Sequence, residues 1–368
     1  MHRIIPIFLA FVCTLGWQGC TEPVKPDFAL GDAFYLVEGS IIAEGGESEV
    51  RLRKSNFREV NFQFQPVTDA LIQSLEVDGQ SVIWSVVDAE AGSYRPPAGF
   101  RAEPGQTWHF EITFADGTQG VSTPETIPEP VPLDSLTVNF VQNSAFDTGL
   151  DRFIPRFELF VNYKDPAGVP NYYEWQVGFW KKINVCASCL QGIWRNGECI
   201  AVNDRFVFRY DYPCNPPNCY QYEVLDQVLV SYDALSDGQY INGFPVGAIP
   251  FDGYGSQLAV ARAVSLTPDA YAYVDVISKL VNGQDGLNGT IPVALNGNVR
   301  NQDPDGTLIL GYLRGVSTTE VTAYYERTIN TGFPLPFDSV LRLEDPLGRL
   351  RAPCDGPNRI TSPPPGWP

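Results

Sequence analysis

The sequence predicts a mainly β protein in two parts. Three observations predict it: abundant turn formers, scarce charge, and repeated short runs that alternate apolar with polar residues. Of 368 residues, 33 are Gly and 31 Pro, well above the roughly 12% that average usage gives the pair, so the chain turns often. Charged residues make 18% of the chain against about 25% in ordinary domains, which leaves little material for long salt-bridged helices. Hydrophobic residues reach 44%, enough to bury a sizeable core.

Residues 1–19 read as a leader. His2 and Arg3 give a polar start, residues 4–15 an apolar run, and Gly19-Cys20 a small residue before a cysteine. The run is too short for a transmembrane helix, which needs about 20 apolar residues. The pattern is that of a lipoprotein signal with Cys20 as the lipidated first residue, although Trp17 replaces the usual Leu-like residue; ordinary secretion is the alternative. Residues 20–33 then form a lipid-anchored linker that holds the body on a membrane without crossing it.

Residues 34–122 carry strand-like runs at 34–44, 49–53, 71–77, 82–87 and 108–114. Asp78-Gly79 and Asp116-Gly117 punctuate them as hairpin turns. Trp108, Phe110, Ile112 and Phe114 share one face, which turns His109 outward. Strands at this density predict an immunoglobulin-like β-sandwich. Residues 123–132 hold four prolines and read as a stiff linker.

Residues 133–350 form the larger β-rich domain. Strands are expected at 133–140, 157–163, 171–177, 224–232, 257–266, 307–314 and 320–327. One helix is expected after Thr267: Thr267 caps, Pro268 takes the first helical position, Asp269 suits the positive end, and Ala270, Val274, Ile277 and Val281 make the apolar face. Asn282-Gly283 ends it. The insertion at 179–222 is cysteine-rich and aromatic, and residues 351–368 form a Pro-rich tail.

Eight cysteines less Cys13 in the leader and the lipidated Cys20 leave Cys186, Cys189, Cys199, Cys214, Cys219 and Cys354. In an exported chain they read as three disulfides of open connectivity, one of which ties the tail back through Cys354. A structural zinc site or a redox pair at Cys186 and Cys189 are the competing readings. Trp180, Trp194, Tyr210, Tyr212 and Tyr220 in this stapled stretch are candidate ligand or partner contacts, since rigid aromatics give large contact area at low entropic cost. A small satellite core is the equally weighted alternative.

Net charge is −18, which excludes a nucleic-acid binder, since phosphate recognition needs a basic face. Only two histidines are present, one of them in the leader, so His-dependent nucleophilic catalysis rests on a lone outward His109. No catalytic residues and no cofactor are assigned. A carboxylate-pair hydrolase stays formally open. Asn301, Asp303 and Asp305 resemble the start of a calcium loop, but the twelfth position is Tyr312 where a bidentate Glu is needed, so a plain turn is the stronger reading.

Several short motifs, taken in order, resemble the Bacteroidota lipoprotein family catalogued as domain of unknown function 4249. They are Thr21-Glu22 after the lipidated Cys, Tyr35-Leu36-Val37-Glu38-Gly39, Asp78-Gly79, Gly92-Ser93-Tyr94, and Asp165-Pro166 with Asn171-Tyr172-Tyr173-Glu174-Trp175. Ser231-Tyr232-Asp233 with Asp237-Gly238, residues 269–273, and Asn298 with Gly311-Tyr312 complete the set. The resemblance implies an outer-membrane lipoprotein facing the cell exterior, often encoded beside a TonB-dependent receptor, and transfers no catalytic residues. Asp134-Ser135-Leu136 and Asp338-Ser339-Val340 are similar to the O-glycosylation sequons of such bacteria. The expected function is accessory to a TonB-dependent transporter in substrate capture or gating. A stand-alone glycan-binding or adhesive module is the alternative, and a carbohydrate-active hydrolase ranks below it.

Overall fold

In the computed structural model, residues 33–43, 47–58, 61–77, 79–183, 192–195, 198–201, 208–209, 218–282, 297–335, 354 and 358–368 are described. The fold is mainly β, as the alternating runs predict. Strands β1 (Tyr35–Ile42), β2 (Glu49–Arg58), β4 (Leu71–Glu76), β5 (Ser81–Asp88), β6 (Ser93–Arg95), β7 (Thr107–Thr113) and β8 (Gln119–Ser122) wrap around one core. β3 (Asn61–Pro66) pairs with β2 at the margin. The first half of β5 pairs with β4 and its second half with β6. By changing partners along its length, β5 turns the corner between two layers, in the manner of a sandwich. Trp108, Phe110, Ile112 and Phe114 are all buried while His109 is half-buried on the other face.

The second body stacks two sheets. β10 (Leu133–Asp147), β11 (Arg152–Lys164) and β18 (Tyr240–Pro250) form one, in the order β10-β11-β18. β12 (Tyr172–Ile183), β19 (Gly255–Leu266) and the second half of β21 (Ile309–Arg327) form the other, continued at its edge by β16 (Cys219–Val224), while β17 (Leu229–Tyr232) also pairs with β12. Phe157, Leu159, Val161 and Tyr163 of one layer meet Tyr173, Trp175 and Val177 of the other, and Ala259, Ala261 and Ala263 of β19 leave room for those rings. The opposite face of β19 offers Val264 and Leu266 to helix α1 (Pro268–Val281). Covered on both faces, β19 is buried almost without interruption.

The helix starts as expected: Thr267 accepts from the Ala270 N–H, and Pro268 stands at its first turn. Its buried face is Ala270, Val274 and Ser278; Ile277 is half-buried and Val281 is 59% exposed. The expected stripe is corrected at its end, because positions four apart keep facing the sheet while the last turn runs past it, and the Ser278 hydroxyl donates to the Val228 carbonyl at 2.7 Å.

Two further corrections concern how the bodies join. The strands expected at 307–314 and 320–327 are one 19-residue strand, β21. Its first half lies parallel to β1, from Tyr35 opposite Ile309 to Ile42 opposite Val316, and its second half is antiparallel to β19. β20 (Val299–Asn301) pairs with β8, and Val299, Ile309 and Leu313 lie in the first core. The sandwich at 34–122 is therefore closed by residues the sequence assigned to the second domain. Gly311 (φ 108°) makes this possible, since a Cβ there would sit 1.9 Å from the Val37 carbonyl oxygen. The segment at 123–132 is no free spacer either: β9 (Glu125–Thr126) pairs with β7, Ile127 enters the first core and Val131 the second.

The tail is fastened. Cys219 and Cys354 form a disulfide across 135 positions. β22 (Arg359–Ile360) pairs with β16. Cys20, Cys186, Cys189 and Cys214 lie outside the described residues, and only the backbone of Cys199, in β14 (Glu198–Ala201) beside β13 (Gly192–Arg195), is described. β15 (Phe208–Arg209) completes that small sheet. Among the described residues no helix is long and apolar enough to cross a membrane.

Candidate functional site

Two loops come together where four strands end. β11 runs into residues 165–171, which lead into β12, and β17 runs into residues 233–239, which lead into β18. Because β11 pairs with β18 (Lys164 opposite Tyr240) and β12 with β17 (Tyr172 opposite Tyr232), the sheets fix both loops side by side. The loops then clasp each other. Gly168 N–H donates to Asp237 Oδ1 at 2.7 Å, Gly238 N–H to Asp165 Oδ2 at 3.2 Å, Asp165 N–H to the Gln239 carbonyl at 3.0 Å and Asp233 N–H to the Asn171 carbonyl at 3.2 Å. Gly168 (φ 87°) and Gly238 (φ 67°) hold the left-handed turns that aim these groups, and a Cβ on Gly238 would lie 2.7 Å from Ala167 Cβ. Asn171 pins the first loop, its amide nitrogen placed to donate to the carbonyls of Pro166 and Val169 at 3.0 Å each.

The clasp concentrates negative charge. Asp165, Asp233 and Asp237 each offer a carboxylate oxygen within 4.8 Å of the others. Asp165 is 1% exposed and Asp233 5%, while Asp237 is exposed. The Tyr173 hydroxyl donates to Asp165 Oδ1 at 2.7 Å, yet burial still holds the Asp165 carboxyl above its ordinary value, with Asp233 and Asp237 adding to the push. Asp233 Oδ2 is buried and accepts no hydrogen bond. Among the described residues no Lys, Arg or His pairs with any of the three. Residues including Tyr172, Tyr232, Asp233 and Asp237 line a surface cleft of about 410 Å³ beside it.

A second polar cluster sits between the bodies. Glu125 from β9 is 5% exposed and accepts from the Tyr312 hydroxyl and from Thr267 Oγ1, each at 2.6 Å. Thr267 is also the cap of α1, so one carboxylate ties the linker, the helix and β21. Nearby, Arg314 reaches Glu174 at 2.5 Å. Every oxygen of Glu125 has a donor, which marks this cluster as cement rather than an open site.

A third feature is the tip of the β10–β11 hairpin. Beyond the second core these two strands run on to a turn at 147–151, where Phe146, Leu150 and Phe153 are 50%, 49% and 55% exposed. Phe146 and Phe153 face each other edge to face with ring centres 5.3 Å apart.

The residues nominated from sequence fare differently. Tyr220 is 3% exposed, held under Trp367 of the tail at 4.9 Å, and so offers no contact surface. Trp180 is half-buried against Tyr222 at 5.0 Å. Tyr210, Tyr212 and the Trp194 side chain lie outside the described residues. Asn301, Asp303 and Asp305 form a turn that satisfies itself: Asn301 Oδ1 accepts from Asp303 N–H at 3.0 Å and Asp303 Oδ1 from Asp305 N–H at 3.1 Å. Asp165, Asp233 and Asp237 were not nominated, although Asp-Pro-Ala-Gly at 165–168 and Asp-Gly at 237–238 signal the two turns that carry them.

The other motif residues hold structure. Asn298 bridges to Leu313 with both its amide nitrogen and its oxygen at 2.8 Å, and Trp175 donates to Ser231 Oγ at 2.8 Å. A model of the family described as a domain of unknown function (DUF4249) matches residues 21–322. No curated protein matches the chain.

Proposed function

Because the chain belongs to the DUF4249 family, we propose that it is a lipid-anchored outer-membrane protein, facing the cell exterior, that acts by docking on a TonB-dependent transporter and helps capture or gate its substrate. The observation that carries a docking role is the hairpin tip. Three large apolar side chains at the end of two long strands, in a chain of net charge −18, are exposed at a cost that contact with an apolar partner surface would relieve. Hot spots of this kind are compact and aromatic. The leader pattern ending at Cys20 supports the anchor, and the family resemblance supplies the class of partner.

The test is recovery of the native lipidated protein from gently solubilised outer membranes. A large β-barrel receptor should accompany the wild-type protein and be lost when Phe146 and Phe153 are both changed to Ser. A wild-type protein that emerges as a clean monomer would overturn the proposal.

A further inference from the structure

We propose that the clasp formed by Asp165, Asp233 and Asp237 is a binding site for a calcium ion, independent of the docking role. Three observations carry it. The first is the donor set. All three groups are carboxylates, the hard oxygen ligands that calcium takes and that zinc and copper sites usually supplement with nitrogen or sulfur. Their oxygens lie within 4.8 Å of one another. Ligands at about 2.3–2.6 Å from one ion stand at most about 5.2 Å apart, so a single calcium spans this spread. Magnesium demands a near-ideal octahedron and keeps most of its water, so a site in which the protein supplies three carboxylates and buries two of them suits calcium better.

The second observation is the orphan. Asp233 is 95% buried, and its Oδ2 has neither donor nor solvent. A buried acceptor without a partner costs about 1–3 kcal/mol, more when charged. A cation between the loops supplies that partner and cancels the repulsion of three like charges that no described cation neutralises.

The third is construction. Tyr173 and the Gly238 N–H hold the Asp165 carboxylate, the Gly168 N–H holds Asp237, and Asn171 pins the loop between them. These contacts fix two of the three ligands before any ion arrives, which lowers the cost of binding. Asp233 and Asp237 both line the adjoining cleft, which gives an ion its way in and admits the waters that complete a coordination number of about 6–8.

The experiment uses the whole mature protein stripped of metal with a chelator. Terbium, a luminescent stand-in for calcium, is excited through nearby tyrosines such as Tyr172, Tyr173 and Tyr232, and calcium is then titrated to displace it; thermal unfolding is followed in parallel. The expected result is displaceable terbium emission and a higher melting midpoint in calcium. Asp233→Asn should weaken calcium binding by about tenfold or more. Asp237→Asn, at an exposed position where the amide oxygen can still accept from the Gly168 N–H, should weaken it as well. Absence of both emission and a midpoint shift in the wild-type protein would overturn the site, as would full calcium affinity in both variants. A midpoint shift in magnesium as large as that in calcium would overturn the choice of ion.

Discussion

The turn at 301–306 and the clasp at Asp165, Asp233 and Asp237 are both rich in Asp and Gly, and they differ in where their oxygens go. In the turn, each side-chain oxygen named above is met by a backbone N–H two positions on, and Asp303 and Asp305 stay exposed. The charge is left in water, where it costs little. In the clasp, the acids come from loops about 70 residues apart, and two of the three are buried. The difference teaches that a contiguous acidic motif closes on its own backbone, whereas acids assembled by a sheet are left to find partners elsewhere. Glu125 extends the comparison as a third case: buried like Asp233, but with a donor on each oxygen.

The largest expected effect falls on Glu125. Glu125→Ala leaves the Tyr312 and Thr267 hydroxyls without their acceptor and should cost about 3 kcal/mol in chemical denaturation. Burial holds the Glu125 carboxyl above its ordinary value against hydrogen bonds from Thr267 and Tyr312, with Asp269 adding to the rise and Arg314 opposing it. A carboxyl raised in the folded state contributes stability that is full below its ordinary value of 4.5 and is lost as pH rises through the folded value. The stability difference between wild type and Glu125→Gln should therefore shrink as pH is raised from acid toward neutral. A difference that grows instead would mean the site favours the ionised form.

Next in size is Gly238→Ala. Its positive φ and the close Ala167 Cβ predict a loss of about 2 kcal/mol, read as a lower melting midpoint, together with weaker calcium binding because the second loop must move. Smallest is Asp303→Asn. The amide oxygen can still accept from Asp305 N–H, so stability should stay within about 0.5 kcal/mol and the calcium response should be unchanged. A calcium response lost in this variant would reverse the comparison between the two acidic regions.

What the sequence made legible follows the same line. β7 and β11 were plain because their apolar residues alternate, and α1 because Thr267 and Pro268 announce its start. β18 was hidden: Gly243, Pro245, Gly247 and Pro250 interrupt its pattern, and its register against β11 shifts twice. The prolines of 123–132 suggested a spacer, yet a single apolar residue toward each body, Ile127 and Val131, is enough to bind the segment down. β21 looked like two strands because Gly315 and the polar run Ser317-Thr318-Thr319 break its apolar pattern around Val316, and only long-range partners show that the strand continues. The clasp was illegible for the same reason. Its turns could be read locally, but that they meet depends on which strands pair.

The parallel pairing of β1 with β21 sets the order in which the molecule can be finished. Tyr35 and Ile309 are about 270 residues apart, so the first body cannot seal one edge of its sheet until nearly the whole chain exists. At about 5–20 residues per second of synthesis, that edge waits for at least some ten seconds. Throughout that time β1 presents an open edge that can pair with other chains. Closing contacts of such long sequence separation are also slow to form. The portion of the chain made first is thus among the last to become native, and a version truncated before β20 should be prone to aggregate rather than fold as a free-standing sandwich.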